Sequence, residues 1–198
     1  CRPGFTLTME IKKLILPSTN ILILENHGLI VAGDDIEDTY KLLLKIHKKL
    51  DLIRNKKLAF DYKEDTSNID GYMHKNADKY KLFSTQNEKL FSLFSKSFYP
   101  DHVIFLGPGI PTFLEVKEAN EFIQNLKKKN INLPPYLILK YKGLFENTLA
   151  IPAAKEMIDC FLEVLLRIDL SKSLKFLSSQ QESELLNWDI EIYRQSIN

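Results

Sequence analysis

The sequence predicts an α/β protein: a layered α/β/α sandwich around a mixed sheet, with a smaller C-terminal α/β unit. Three observations carry that expectation. Short continuous apolar runs, Ile21-Leu22-Ile23-Leu24 and Tyr136-Leu137-Ile138-Leu139 among them, sit between Pro, Asn, Lys and Gly residues, as buried strands do. Between such runs lie stretches with apolar residues at helical spacing, notably from Ile36 to Leu50 and from Met157 to Leu165. Strand and helix signals alternate along the chain, the order that α/β layers produce.

Each element follows in turn. Phe5 to Pro17 reads as a short helix with Leu7, Ile11, Leu14 and Ile15 along one stripe, stopped by Pro17-Ser18-Thr19-Asn20. The run Ile21 to Leu24 is a strand, Glu25-Asn26-His27-Gly28 interrupts it, and Leu29 to Gly33 is a second strand. Asp34 and Glu37 stand at capping-box spacing and predict an N-cap at Asp34. The helix that follows runs to about Ile53, with Ile36, Tyr40, Leu43, Leu44, His47 and Leu50 on one stripe. Residues 55–85 are polar and rich in Lys, Asp and Asn, which predicts a long connection containing short helical turns. Asn87 to Phe98 is helical; Asp101 to Leu106 is a strand entering the loop Gly107-Pro108-Gly109-Ile110-Pro111. A helix from Thr112 or Phe113 to about Lys129 precedes Pro134-Pro135 and the strand Tyr136 to Lys140, and Lys142-Gly143 turns the chain. Pro152 suits a first helical turn and starts a long apolar helix through Arg167. A last helix from Ser179 to Gln195 carries the one tryptophan, Trp188, read as a packing anchor with a subunit contact as the alternative.

Composition bounds the function. The 198 residues suit one domain or two small ones, and a chain of this length buries roughly 70% of its unfolded surface without staples. Lys plus Arg is 27 against 26 for Asp plus Glu, a net charge of +1 that gives no support to a nucleic-acid partner. No apolar run approaches the ~18 residues of a membrane span. Two cysteines, Cys1 and Cys160, rule out a disulfide scaffold or a Cys-rich zinc site and suit a cytoplasmic location. The opening Cys1-Arg2-Pro3-Gly4-Phe5 lacks Met and any signal-peptide pattern, so either processing or a fragment of a longer protein is expected, the fragment being favoured.

The four histidines are His27, His47, His74 and His102. No two share H-x-H or H-x-x-x-H spacing, so no complete local metal motif is present. His47 falls on the apolar stripe of its helix and reads as a core or boundary residue; His74 lies in the polar connection and reads as solvated; His102 begins a strand and reads as structural. His27 differs, because it sits at a junction between two strands and precedes Gly28, which permits a tight, positive-φ turn. One imidazole does not make a zinc site, and spacing alone leaves His27 open between a ligand and a turn residue.

Arg2-Pro3-Gly4-Phe5, and then Ile21 through Glu25-Asn26-His27-Gly28-Leu29 to Asp34, resemble the latter half of a class II aldolase/adducin domain. Pro100 to Pro108, the helix from Met157 to Arg167, and Leu185 to Gln195 with its Asn187-Trp188-Asp189 resemble the longer, sugar-aldolase branch of that family. The resemblance covers most of the chain and is weakest across 55–98. It implies an organisation of 1–55 as the C-terminal part of an aldolase/adducin-like domain, 56–98 as a connecting segment and 99–198 as a smaller α/β unit with C-terminal helices. It implies His27 as the third histidine ligand of a divalent metal, usually zinc. The family's H-x-H pair and its acid/base carboxylate lie upstream of the His-Gly motif and have no counterpart here, so a complete metal site is not expected in this chain, and the catalytic and substrate-binding residues are unassigned.

What the resemblance implies is a metal-dependent lyase of sugar metabolism that cleaves a C–C bond in a ketose or sugar phosphate by a retro-aldol reaction, the metal stabilising the enediolate as a Lewis acid. Glu25 and Asn26 either support the ligand shell or, for Glu25, form a surface carboxylate. The partner is a small sugar; a homo-oligomer is compatible, and neither nucleic acid nor membrane is expected. The alternative is a non-catalytic, adducin-like interaction module, since a fold does not fix an activity. A dehydrogenase reading finds no support, because Gly107-Pro108-Gly109 lacks the G-x-G-x-x-G pattern and Pro108 removes an N–H.

Overall fold

The structure, a computed structural model, describes residues 4–50 and 68–196. The chain divides into two compact units, Cys1–Leu52 and Ile53–Asn198. The expected helix end at Ile53 and the segment 51–67 lie outside the described residues.

In the first unit, helix α1 (Phe5–Leu14) leads to a hairpin of β1 (Ile21–Leu24) and β2 (Gly28–Val31), followed by helix α2 (Ile36–Leu50). Helix α1 stops before Pro17, because the residue ahead of a proline is driven out of the helical region; the Leu16 N–H instead donates to Thr19 Oγ1 at 2.9 Å. β1 and β2 pair antiparallel, with Ile21 opposite Val31 and Leu24 opposite Gly28. The N-cap of α2 is Asp35, not Asp34: Asp35 Oδ1 accepts from the Asp38 N–H at 2.7 Å, one position later than the Asp34–Glu37 spacing suggested.

The strands around His27 were expected to be buried. Both form, but they are not buried: Ile23 is 73% exposed, and Ile46 of α2 is the one buried apolar side chain among the described residues of this unit. A two-stranded ribbon with one helix against it has too few neighbours to cover its faces. His47, expected in a core or boundary position, is exposed for the same reason. The helices expected to share one sheet do not: α2 packs on β2, whereas the helix starting at Pro152 belongs to the second unit.

The second unit holds the main α/β core, so the C-terminal part is not the smaller one. Its mixed sheet has the order β3 (Tyr72–His74), β6 (Gly143–Asn147), β5 (Tyr136–Leu139), β4 (Thr112–Phe113). β3 and β5 flank β6 antiparallel, and β4 joins β5 in parallel. Side chains alternate across it. Tyr136, Ile138 and Leu144 enter a core with a 3₁₀ helix (Asp78–Ser84), α3 (Glu88–Leu93) and α6 (Pro152–Leu165), where Phe83, Phe94 and Phe161 are fully buried. Leu137, Leu139 and Phe145 face the other way, onto Ile69 and onto Ala119 and Ile123 of α5 (Val116–Lys128). Helices on both faces explain why β5 is apolar at every position. A third cluster joins α4 (Pro100–Leu106) to Leu185 of α7 (Ser179–Leu186).

Several elements differ from expectation. Asp101 to Leu106 is helical, not extended. Pro100 occupies the first turn, and Val103 to Leu106 are all buried, so a helix covered all round mimics a strand's continuous apolar run. Thr112-Phe113 is the short strand β4 and does not open the next helix; α5 starts at Val116, with Glu115 and Glu118 forming its capping box. β6 shows no strand signal in the sequence because Gly143, Glu146 and Asn147 dilute its apolar pattern. Within the polar stretch, Ile69, Tyr72, Tyr80, Leu82 and Phe83 are buried, and β3 lies there. The last helix is two, α7 and α8 (Asp189–Ser196), broken at Asn187 and Trp188; Trp188 is half-buried. Among the described residues no helix is long and apolar enough to cross a membrane.

Candidate functional site

His27 lies in the three-residue loop Glu25-Asn26-His27 that closes the β1–β2 hairpin. The Leu24–Gly28 pair is the last rung, and the His27 N–H donates to the Leu24 carbonyl at 3.0 Å. Asn26 takes φ 60° and Gly28 φ 119°, the left-handed conformations such a loop uses. Gly28 is required by its backbone and not by crowding, since an added Cβ would meet nothing within 4 Å. The loop presents the His27 side chain to solvent, with Glu25 also exposed and Asn26 half-buried.

The other histidines occupy unrelated settings. His47 is on α2. His74, expected in solvent, is on β3, where Nε2 lies 2.9 Å from the Lys142 carbonyl and the ring packs on Phe145 at 4.9 Å. His102 is fully buried on α4. No group of three or more His, Cys, Asp or Glu side chains that could hold a metal ion occurs among the described residues. A zinc ion needs three or four such donors, so these residues do not fit the ion by themselves.

The second unit brings together groups that no local pattern announced. Glu146 on β6 is buried beneath Lys75 at 2.8 Å and Lys155 at 3.4 Å, and Tyr136, its cross-strand neighbour, donates to it at 3.3 Å. Burial works against the charge, but the hydrogen bonds and charges of Lys75 and Lys155 prevail and hold the Glu146 pKa below its ordinary value. Burial, and then the neighbouring Glu146, push the Tyr136 phenol up. Alongside, Asp159 takes Lys79 at 2.7 Å and the Tyr80 hydroxyl at 2.8 Å. With both carboxylate oxygens engaged, Glu146 acts as a structural anion that ties β6 to Lys75, just past β3, and to α6. Only the period-two placement of Tyr136 and Glu146 on paired strands could have pointed to it, and that required knowing the register.

His102 is the other unusual group. Its ring packs edge-on against Phe161 at 4.6 Å, with Phe98 and Tyr99 around it. Among the described residues, both ring nitrogens and the nearby Ser97 hydroxyl are buried without a hydrogen-bond partner. Burial pushes the His102 pKa down to about 4, so it is neutral at pH 7. The nearby loop is held close: at Gly109, φ 76°, an added Cβ would come within 2.3 Å of the Ser95 carbonyl oxygen.

No family model matches the chain, and neither the curated proteins nor the solved structures include one that matches it.

Proposed function

We propose that this chain is the C-terminal part of a metal-dependent class II aldolase/adducin-like lyase, with His27 one imidazole ligand of a divalent metal, zinc in the first instance. The substrate class is a ketose or sugar phosphate, cleaved in the cytoplasm. The observation that supports this reading is the setting of His27. A two-stranded hairpin fixes its backbone, the following Gly28 has a positive φ, and its side chain is exposed. The remaining donors and the acid/base group would come from outside the described residues, so the chemistry of cleavage is assigned to no residue here.

The test is the reading frame upstream of Cys1, together with the metal content and retro-aldol activity of the protein it encodes. The reading expects an in-frame H-x-H pair, bound zinc, and loss of most metal and nearly all cleavage in His27→Ala with the fold retained. Absence of the pair, a metal-free protein, or a His27→Ala variant with normal metal and turnover overturns it. The non-catalytic interaction module is then the better reading. One observation favours that second reading: the apolar stripe of α2 is exposed along its length.

A further inference from the structure

We propose that α2 is a docking surface for a second copy of this chain, two α2 helices pairing antiparallel about a two-fold axis near Leu43. The inference shares its observation, the exposed stripe of α2, with the interaction-module reading, and it needs no metal at His27. Thr39, Leu42 and Ile46, spaced three and four apart, form the covered side of α2. The apolar stripe recognisable in the sequence is a different side. Ile36, Tyr40, Leu43, His47 and Leu50 recur at intervals of four, three, four and three, the a/d spacing of a coiled-coil seam. All five are exposed, Ile36 at 84% and Tyr40 at 58%.

Charge selects the occupant. The first turn of α2 carries Glu37 and Asp38, and its last turn carries His47, Lys48 and Lys49. A two-fold axis lays the acidic end of one helix on the basic end of the other. Glu37 and Lys48 are eleven positions apart, about three turns, so both lie on one flank of the seam. They are also nearly equidistant from Leu43 along the helix. In the pair, Glu37 of each copy therefore meets Lys48 of the other, twice. Neither forms an ion pair among the described residues, whereas Asp38 and Lys41, on the far side, already pair at 3.1 Å. Between β2 and the N-terminal half of α2 lies an open cleft of about 640 Å³ lined by Leu29, Val31, Ile36, Tyr40 and Leu43. The same symmetry brings Leu50 of the second copy to Ile36, at that cleft. The contact is self-complementary, as an isologous dimer requires. A single helix pair falls at the small end of specific interfaces, below roughly 1,200 Å², so the dimer is weak.

Sedimentation velocity of the purified chain across a dilution series tests this. Wild type should shift with concentration from 23.0 kDa to twice that mass. Leu43→Glu places two like charges at the axis and should abolish the dimer, with an unchanged far-UV circular dichroism spectrum. Glu37→Lys and Lys48→Glu should each weaken it on the order of tenfold, because each turns two attractions into repulsions. An equimolar mixture of these two variants should regain wild-type association, since both ends then oppose unlike charges. Weakening by each single variant together with recovery to wild-type strength marks the antiparallel pairing; a parallel pair already opposes like charges in wild type, so its single variants would not weaken it and the mixture would bind more tightly than wild type. A wild type that stays monomeric, a dimer indifferent to Leu43→Glu, or a mixture no stronger than its components overturns the proposal.

Discussion

β1 and β5 are both four-residue apolar strands, Ile-Leu-Ile-Leu and Tyr-Leu-Ile-Leu, yet their surroundings are opposite. β5 lies between β6 and β4 and has helices on both faces, so all four side chains are buried. β1 has one strand partner, and its side chains alternate between exposed and half-buried. Apolar sequence therefore fixes what a strand is able to bury, while the number of neighbours decides what it does bury. The same holds for helices: α6 places Ala154, Ile158, Phe161, Leu162 and Leu165 in the core, while the most regular stripe of α2 faces outward.

Paired truncations give the largest contrast. Leu137→Ala in β5 should cost about 2–5 kcal/mol, as core Leu-to-Ala changes do. Ile23→Ala in β1 should stay within about 0.5 kcal/mol, the range of surface substitutions. Urea denaturation of both variants checks this; equal costs would mean that β1 is covered as fully as β5.

His102 sharpens the contrast through pH. Its folded pKa of about 4 lies below the ordinary value of about 6.5, so between these limits acid protonates the unfolded chain but not the folded one. The stability this group confers is complete above about pH 6.5, falls with pH, and levels off below about pH 4. The loss amounts to roughly 3 kcal/mol. Stability of wild type minus that of His102→Leu, followed by denaturation from pH 7 to pH 4, should fall by that amount; a flat difference would show that acid reaches the ring without unfolding. The hairpin unit has no buried histidine among its described residues and should show no such step.

The strands Ile21–Leu24 and Tyr136–Leu139 and the helices from Ile36 and Pro152 were legible because their signals are local: apolar runs, Pro at a first turn, helical spacing. α4 carries the sequence signal of a strand because a wholly buried helix and a buried strand share a continuous apolar run, and the first-turn Pro100 is what distinguishes them. β6 and the Glu146 cluster depend on pairing Tyr136 with Glu146 and on Lys75 and Lys155, which lie far away in sequence. Residue order does not display such pairings. At the candidate site, the tight turn with positive-φ Gly28 was legible, whereas the exposure of its strands was not, because covering depends on what surrounds them.

Smaller effects follow. Glu146→Gln should cost about 1–2 kcal/mol; Lys75 and Lys155 keep access to water, so their loss of a partner is softened. Because the folded pKa of Glu146 is depressed, its contribution is present above the ordinary carboxylate value and fades as acid protonates it, so the variant and wild type should converge at low pH. Asp35→Ala removes the α2 cap and should cost about 1 kcal/mol, read as faster amide exchange in the first turn of α2 and nowhere in β5 or β6.

Amide hydrogen exchange followed against protein concentration tests most directly the claim that one unit carries its own core while the other has an apolar face awaiting a second copy. At high dilution, β5, β6 and α6 should be strongly protected, and β1, β2 and α2 should exchange quickly. Raising the concentration should slow exchange in α2 and leave β5 and β6 unchanged. Strong protection of α2 at the highest dilution, or protection that does not change with concentration, would contradict the account.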